Sequence, residues 1–231
     1  MEVYAPTAVF NMDMQSFLSR WLRDMRAEQY ADGQIPHVVP DIDSNKYVNG
    51  NNGDPHISSA GWGDACVLVP YALYQAYGNT AVLKENYPMM KAWMDYMTAQ
   101  AGDDLLGWGK LFHFGDWLIP SIVAQTHDPM QTALKTKEEI ALGYLVYVAD
   151  RMHKIAELLG KAEDAAMYDT LCQHGKKVFR ETYVTEDGQM RQQLQKKSFQ
   201  SDGQKKIRSK SRPHPDQSER ICRWQMRSVP S

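Results

Sequence analysis

The chain has few cysteines and arranges none of them for chemistry. Cys66, Cys172 and Cys222 are far apart, odd in number and in no Cys-x-x-Cys spacing, so neither a disulfide framework nor a zinc site is indicated, and Cys66 and Cys172 read as buried thiols. His56, His127, His153 and His174 show no spacing expected of a metal site, and His-Glu-x-x-His is absent. No phosphate-cradling Gly-x-x-x-x-Gly-Lys-Ser/Thr and no Gly-x-Ser-x-Gly elbow occurs, which removes the sequence support for nucleotide and serine-hydrolase readings. Neither a cofactor nor a metal is expected. No apolar run approaches bilayer length, and Met1-Glu2-Val3-Tyr4 has neither a basic n-region nor a following apolar h-region. The chain as written is therefore expected in the cytoplasm with no membrane partner. Any secretion signal of a periplasmic or secreted parent would lie upstream.

A surplus of positive charge is also missing. The net charge of -2 and pI near 6.4 argue against nucleic acid as a partner, which asks for a concentrated basic face. That average hides a break. Residues 191–231 hold 11 Lys+Arg against 3 Asp+Glu, leaving 15 against 25 for residues 1–190. The later segment is rich in Gln, Lys, Arg and Ser with no apolar period, so it is expected to be disordered; a basic nucleic-acid tail is one reading of it, and a segment that is not the native continuation of the domain is the favoured one. A frameshift leaves such a signature. The organisation expected is a domain over 1–190 followed by a basic tail.

What is present is helical pattern. Met14, Phe17, Leu18, Trp21, Leu22 and Met25 recur at three and four between Asp13 and Tyr30, the stripe of an amphipathic helix. A turn-rich stretch from Gln34 to Ser59 follows. The next helix, about Trp62 to Tyr77, is apolar on nearly every side and suits a position buried all round. Gly78-Asn79-Thr80 closes it and opens a one-sided helix over Ala81 to Ala101. A second long loop runs from Gly102 to Ala133. Thr136 with Glu139 has capping-box spacing and is expected to start a helix through Leu159, and Glu163 to Tyr183 reads as another. A buried helix, a tight turn, an amphipathic helix and a long aromatic loop back to the next buried helix make the grammar of an all-α helical-hairpin toroid.

Sugar sites combine carboxylates with aromatic faces that pack against a pyranose ring. Gly61-Trp62-Gly63-Asp64 sets an indole and a carboxylate two residues apart at a helix start, and Phe112-His113-Phe114-Gly115-Asp116-Trp117 repeats the theme in the second loop. Each alone has a plain structural reading, Asp64 as a helix N-terminal residue and Trp62 as packing. Two at one presumed mouth favour ligand-facing roles for Trp62, Asp64, Asp116 and Trp117. His37, on the proline-stiffened loop Ile35-Pro36-His37-Val38-Val39-Pro40, is a further candidate.

Four segments, Ala31-Asp32-Gly33-Gln34-Ile35-Pro36-His37-Val38-Val39-Pro40-Asp41, Ser59-Ala60-Gly61-Trp62-Gly63-Asp64-Ala65, Pro70-Tyr71-Ala72-Leu73-Tyr74-Gln75-Ala76-Tyr77-Gly78 and Phe114-Gly115-Asp116-Trp117-Leu118, resemble in order and spacing the catalytic domain of bacterial α-L-rhamnosidases, over about residues 3–190. The resemblance implies an incomplete (α/α)6 six-hairpin toroid, a rhamnose-containing glycan as partner, and inverting hydrolysis of terminal α-L-rhamnosides by one general acid and one general base. It also implies that Trp62, Asp64, Asp116 and Trp117 line the sugar pocket. The family's acid segment would end where Met1-Glu2 stands and its base lies on a later hairpin, so no catalytic carboxyl is assigned here and the chain alone is expected to be inactive. A glycan-binding remnant and a six-hairpin glycosidase of other sugar specificity are the alternatives.

Overall fold

A computed structural model of the chain describes residues 1–41, 58–120, 123, 124 and 127–191. The basic segment and much of the turn-rich stretch before Ser58 lie outside the described residues. Within them the structure is helical, without named strands, and carries one isolated bridge between Val184 and Met190.

The helices pair into successive hairpins. Helix α1 spans Ala5–Asn11 and α2 spans Gln15–Glu28; α3 (Ala65–Tyr77) is followed by α4 (Ala81–Ala101); a single turn, α5 (Gly107–Lys110), precedes the long α6 (Pro129–Leu158), and α7 (Ala162–Tyr183) returns along it. Tight turns join inner to outer helices. Gly78 takes φ +69 and its N–H closes onto the Tyr74 carbonyl at 2.8 Å, a left-handed cap that a glycine adopts without steric cost. Helix α7 carries Glu163 and Asp164 in its first turn and Arg180 in its last, charges that suit the helix dipole at both ends.

Helix α3 lies at the centre. It touches α1, α2, α4 and α6, and its first turns bury Ala65, Cys66, Val67, Val69 and Pro70, the all-round burial that its apolar sequence predicts. Helix α4 instead buries one face, with Leu83, Tyr87, Met90, Trp93, Met94 and Met97 inside and Lys84, Glu85 and Asp95 in solvent. Its outer neighbours are fixed by polar contacts as well. Arg26 of α2 donates to Asn86 and Glu85 of α4 at 2.5 and 2.6 Å, and Tyr87 of α4 donates to Asp164 of α7 at 2.6 Å.

One local expectation needs correction, and one helix was not expected. The fourth long helix does not start at Thr136. It starts at Pro129, with Asp128 accepting from the Met130 N–H at 2.9 Å, an Asp-Pro N-terminus that outranks the capping-box spacing further on. Thr136 lies inside the helix, and its hydroxyl donates to the Thr132 carbonyl at 3.0 Å. Helix α1 was not legible at all, because seven residues with a proline near the start offer no measurable period; it is held by burying Ala5 and Ala8 completely.

Candidate functional site: an aromatic mouth

The described parts of the long connections, each running from an outer helix to the next inner one, meet at one end. Phe114 stands at their junction. Its ring centroid lies 5.3 Å from His37, 5.0 Å from Trp62, 5.6 Å from Trp117 and 5.1 Å from Phe112, within the range of favourable edge-to-face and tilted aromatic contact. His37, Trp62 and Trp117, which come from three separate stretches of sequence, are thereby brought into one patch. Trp62 and Trp117 keep 39% and 38% of their surface exposed beside a largely shielded hub. His37 is half-buried, its Nε2 3.0 Å from the Ser59 hydroxyl.

The two aspartates are placed differently. Asp64, at the start of α3, is completely buried: Oδ2 accepts from the Gly61 N–H at 2.7 Å and Oδ1 from the Trp93 indole N–H at 2.9 Å. Burial raises its carboxyl to about 6, against the lowering effect of those two donors. Asp64 therefore acts on the loop that carries Trp62, and no surface of its carboxylate reaches the mouth. Asp116 is half-buried on the mouth loop; its N–H donates to the Thr136 hydroxyl at 2.8 Å, and its Oδ1 accepts from the Leu118 N–H at 3.3 Å.

The motif glycines are there for space. A Cβ on Gly63 would sit 2.6 Å from the Trp93 ring and from the Ser58 hydroxyl, and one on Gly115, already at φ +53, would sit 2.6 Å from the Ala133 carbonyl and the Thr136 hydroxyl. Both loops thus lie directly on the helices beneath them, Gly63 on α4 and Gly115 on the start of α6.

Sequence reasoning missed a second buried carboxyl. Glu2 accepts from the Tyr144 hydroxyl of α6 at 2.8 Å, and desolvation, reinforced by the charge of Asp64, pushes it up to about 8. Both carboxyls are thus held protonated to higher pH than a carboxyl in water, by burial first. A glutamate at the head of a chain gives no pattern by which to find it. The same holds for Ser59, and for Phe114 as a hub, since its motif is legible but its centrality depends on three other segments. Among the described residues no group of three or more His, Cys, Asp or Glu side chains could hold a metal ion, and no helix is long and apolar enough to cross a membrane.

Stacked helical hairpins with aromatic return loops at one end define a protein of the six-hairpin toroid class. The model of the bacterial alpha-L-rhamnosidase 6 hairpin glycosidase domain matches residues 1–201, and the chain belongs to that family. It is 37% identical over 191 residues to an alpha-L-rhamnosidase of Streptomyces avermitilis, covering 83% of this chain and 16% of that protein. With an alpha-L-rhamnosidase of Formosa agariphila it shares 32% over 182 residues, 79% of this chain and 18% of the other. Among solved structures it superimposes on Streptomyces avermitilis alpha-L-rhamnosidase complexed with L-rhamnose with TM-score 0.65 at 36% identity, over 82% of this chain and 16% of that one. The Aspergillus terreus alpha-L-rhamnosidase structure gives 0.67 at 29%, over 82% and 21%. The chain therefore spans less than a fifth of the length of the curated relatives it matches.

Proposed function

We propose that this chain supplies part of the sugar-binding wall of an α-L-rhamnosidase, a glycoside hydrolase that removes terminal α-L-rhamnose with inversion. The observation that carries this reading is the assembly of Trp62, Trp117 and His37 around Phe114, with Asp116 on the same loop. Indole faces pack against the C–H face of a pyranose, and the imidazole and carboxylate supply hydrogen bonds to hydroxyls. Asp64 serves the same wall from below, by fixing the loop that presents Trp62.

Inversion needs a general acid and a general base whose carboxyls stand roughly 6.5 to 9.5 Å apart with a water between them. Asp64 is completely buried and the Glu2 carboxyl is bonded to the Tyr144 hydroxyl, so the two do not offer that arrangement to a ligand. The chain by itself binds rhamnosides and turns them over little. Calorimetric titration of the folded chain with L-rhamnose, set beside an assay on an aryl α-L-rhamnoside, tests both halves. Heat of binding without turnover is the expected result. A folded sample giving no heat with L-rhamnose or with rhamnose oligosaccharides would remove the binding claim, and enzyme-like rates abolished by one carboxylate substitution would remove the inactivity claim. Preference for another sugar in the same titration would reassign the specificity.

A further inference from the structure

We propose that His113 is a positioning residue of the mouth: an imidazole protonated on Nε2 that locks the Trp62 loop to the Phe112–Trp117 loop. The inference rests on the sugar-binding reading for its consequence, but not for its geometry.

His113 is completely buried. Its Nδ1 lies 3.0 Å from the Ala60 backbone N, and its Nε2 lies 2.7 Å from the Trp108 carbonyl oxygen. A backbone N–H can only donate and a carbonyl oxygen can only accept, so Nδ1 must be the acceptor and Nε2 must carry the proton. The ring is wedged 4.6 Å from Trp108, which in turn meets Trp93 edge-on at 5.7 Å. Trp93 is the residue whose indole N–H holds Asp64. Two successive amides, those of Ala60 and Gly61, are therefore gripped by two side-chain acceptors, His113 and Asp64, that stand on the same buried aromatic stack.

The next amides close on the loop itself, since the N–H groups of Trp62 and Gly63 both donate to the Ser59 carbonyl at 3.1 Å. The backbone entering Trp62 has no unsupported amide from Ala60 to Gly63. His113 is the member of this set that comes from the other motif, and its neighbours Phe112 and Phe114 face His37 and Trp62. One side chain thus sets the spacing between the two halves of the mouth. Such fixing of ring orientation before a ligand arrives is what spares a binding site the cost of ordering it on contact.

The two hydrogen bonds can be separated by substitution. An asparagine places its Oδ1 near the position of Nδ1 and retains the acceptor for Ala60; a glutamine reaches to the position of Nε2 and retains the donor to Trp108. Wild type, His113→Asn and His113→Gln are compared by thermal melting, by amide hydrogen exchange at Ala60 and by L-rhamnose affinity, and the tautomer is read from long-range proton–nitrogen spectra of the histidine-labelled wild type. The expected results are an Nε2-protonated ring at His113 and Ala60 protection kept in His113→Asn but lost at least tenfold in His113→Gln. L-rhamnose affinity falls about tenfold in His113→Gln and stays within about threefold in His113→Asn, even where the two melt alike. An Nδ1-protonated ring, an unprotected Ala60 amide in the wild type, or affinity tracking the melting temperature in both variants would overturn the proposal. If His113→Gln does not fold, the wild-type tautomer and Ala60 exchange still decide it. If the wild type binds no L-rhamnose, the sugar reading falls, and the same tautomer and exchange results decide the lock.

Discussion

The two Gly-Asp-aromatic motifs read alike in sequence and do different work in the fold. In Gly61-Trp62-Gly63-Asp64 the carboxylate follows the indole and lands at the first turn of α3, where the chain turns inward; it is fully buried and bonded to Gly61 and Trp93. In Gly115-Asp116-Trp117 the carboxylate precedes the indole on a loop resting on α6, and it stays half-exposed, bonded within its own turn. The tryptophans, by contrast, are nearly equivalent, with 39% and 38% of their surface open on either side of Phe114. A short motif therefore fixes which groups are present, while the element it abuts fixes which of them meets solvent.

Matched substitutions break this comparison most sharply at the aspartates. Asp64→Asn keeps one acceptor but turns an amide N–H toward a buried donor, and should cost about 3 kcal/mol of stability; Asp116→Asn should cost less than about 0.5 kcal/mol. Denaturant unfolding of both variants checks the contrast, and equal losses would mean that the two aspartates occupy similar environments after all.

The next effect depends on pH. Glu2 is raised to about 8 and Asp64 to about 6, in both cases by burial first, so the folded state binds protons more tightly than the unfolded chain. Stability from these groups is then fully present below their ordinary carboxyl values and is lost as pH rises through the folded values. Unfolding free energy should fall by up to about 5 kcal/mol between pH 5 and pH 9, and Glu2→Gln should remove most of that slope. A flat wild-type profile over this window would show that Glu2 is solvated in the folded chain.

The smallest expected effects lie at the tryptophans and sharpen the comparison where the motifs agree. Trp62→Ala and Trp117→Ala should each weaken L-rhamnose binding about tenfold while changing stability by about 1 kcal/mol or less, since much of each ring is already in water. Calorimetry and thermal melting on the same samples separate the two quantities. A loss of stability without a loss of affinity would return both residues to packing.

The helical class, the hairpin order and the candidate tryptophans were legible because apolar period and turn residues are local signals: Leu83, Tyr87, Met90, Trp93, Met94 and Met97 mark the inner face of α4 wherever that helix is placed. Helix α1 and the start of α6 were not, the first for want of length and the second because Asp128-Pro129 competes with the spacing of Thr136 and Glu139. At the site, sequence alone determined that two indoles, two aspartates and a histidine stand near helix starts and on long loops. Tertiary structure alone decided that Phe114 gathers His37, Trp62 and Trp117, that Asp64 faces inward beside Glu2, and that His113 bridges the two motif loops. Those outcomes depend on contacts between segments dozens of residues apart, and the burial that creates them, which also moves the carboxyls of Glu2 and Asp64, exists only once α1, α3, α4 and α6 have packed.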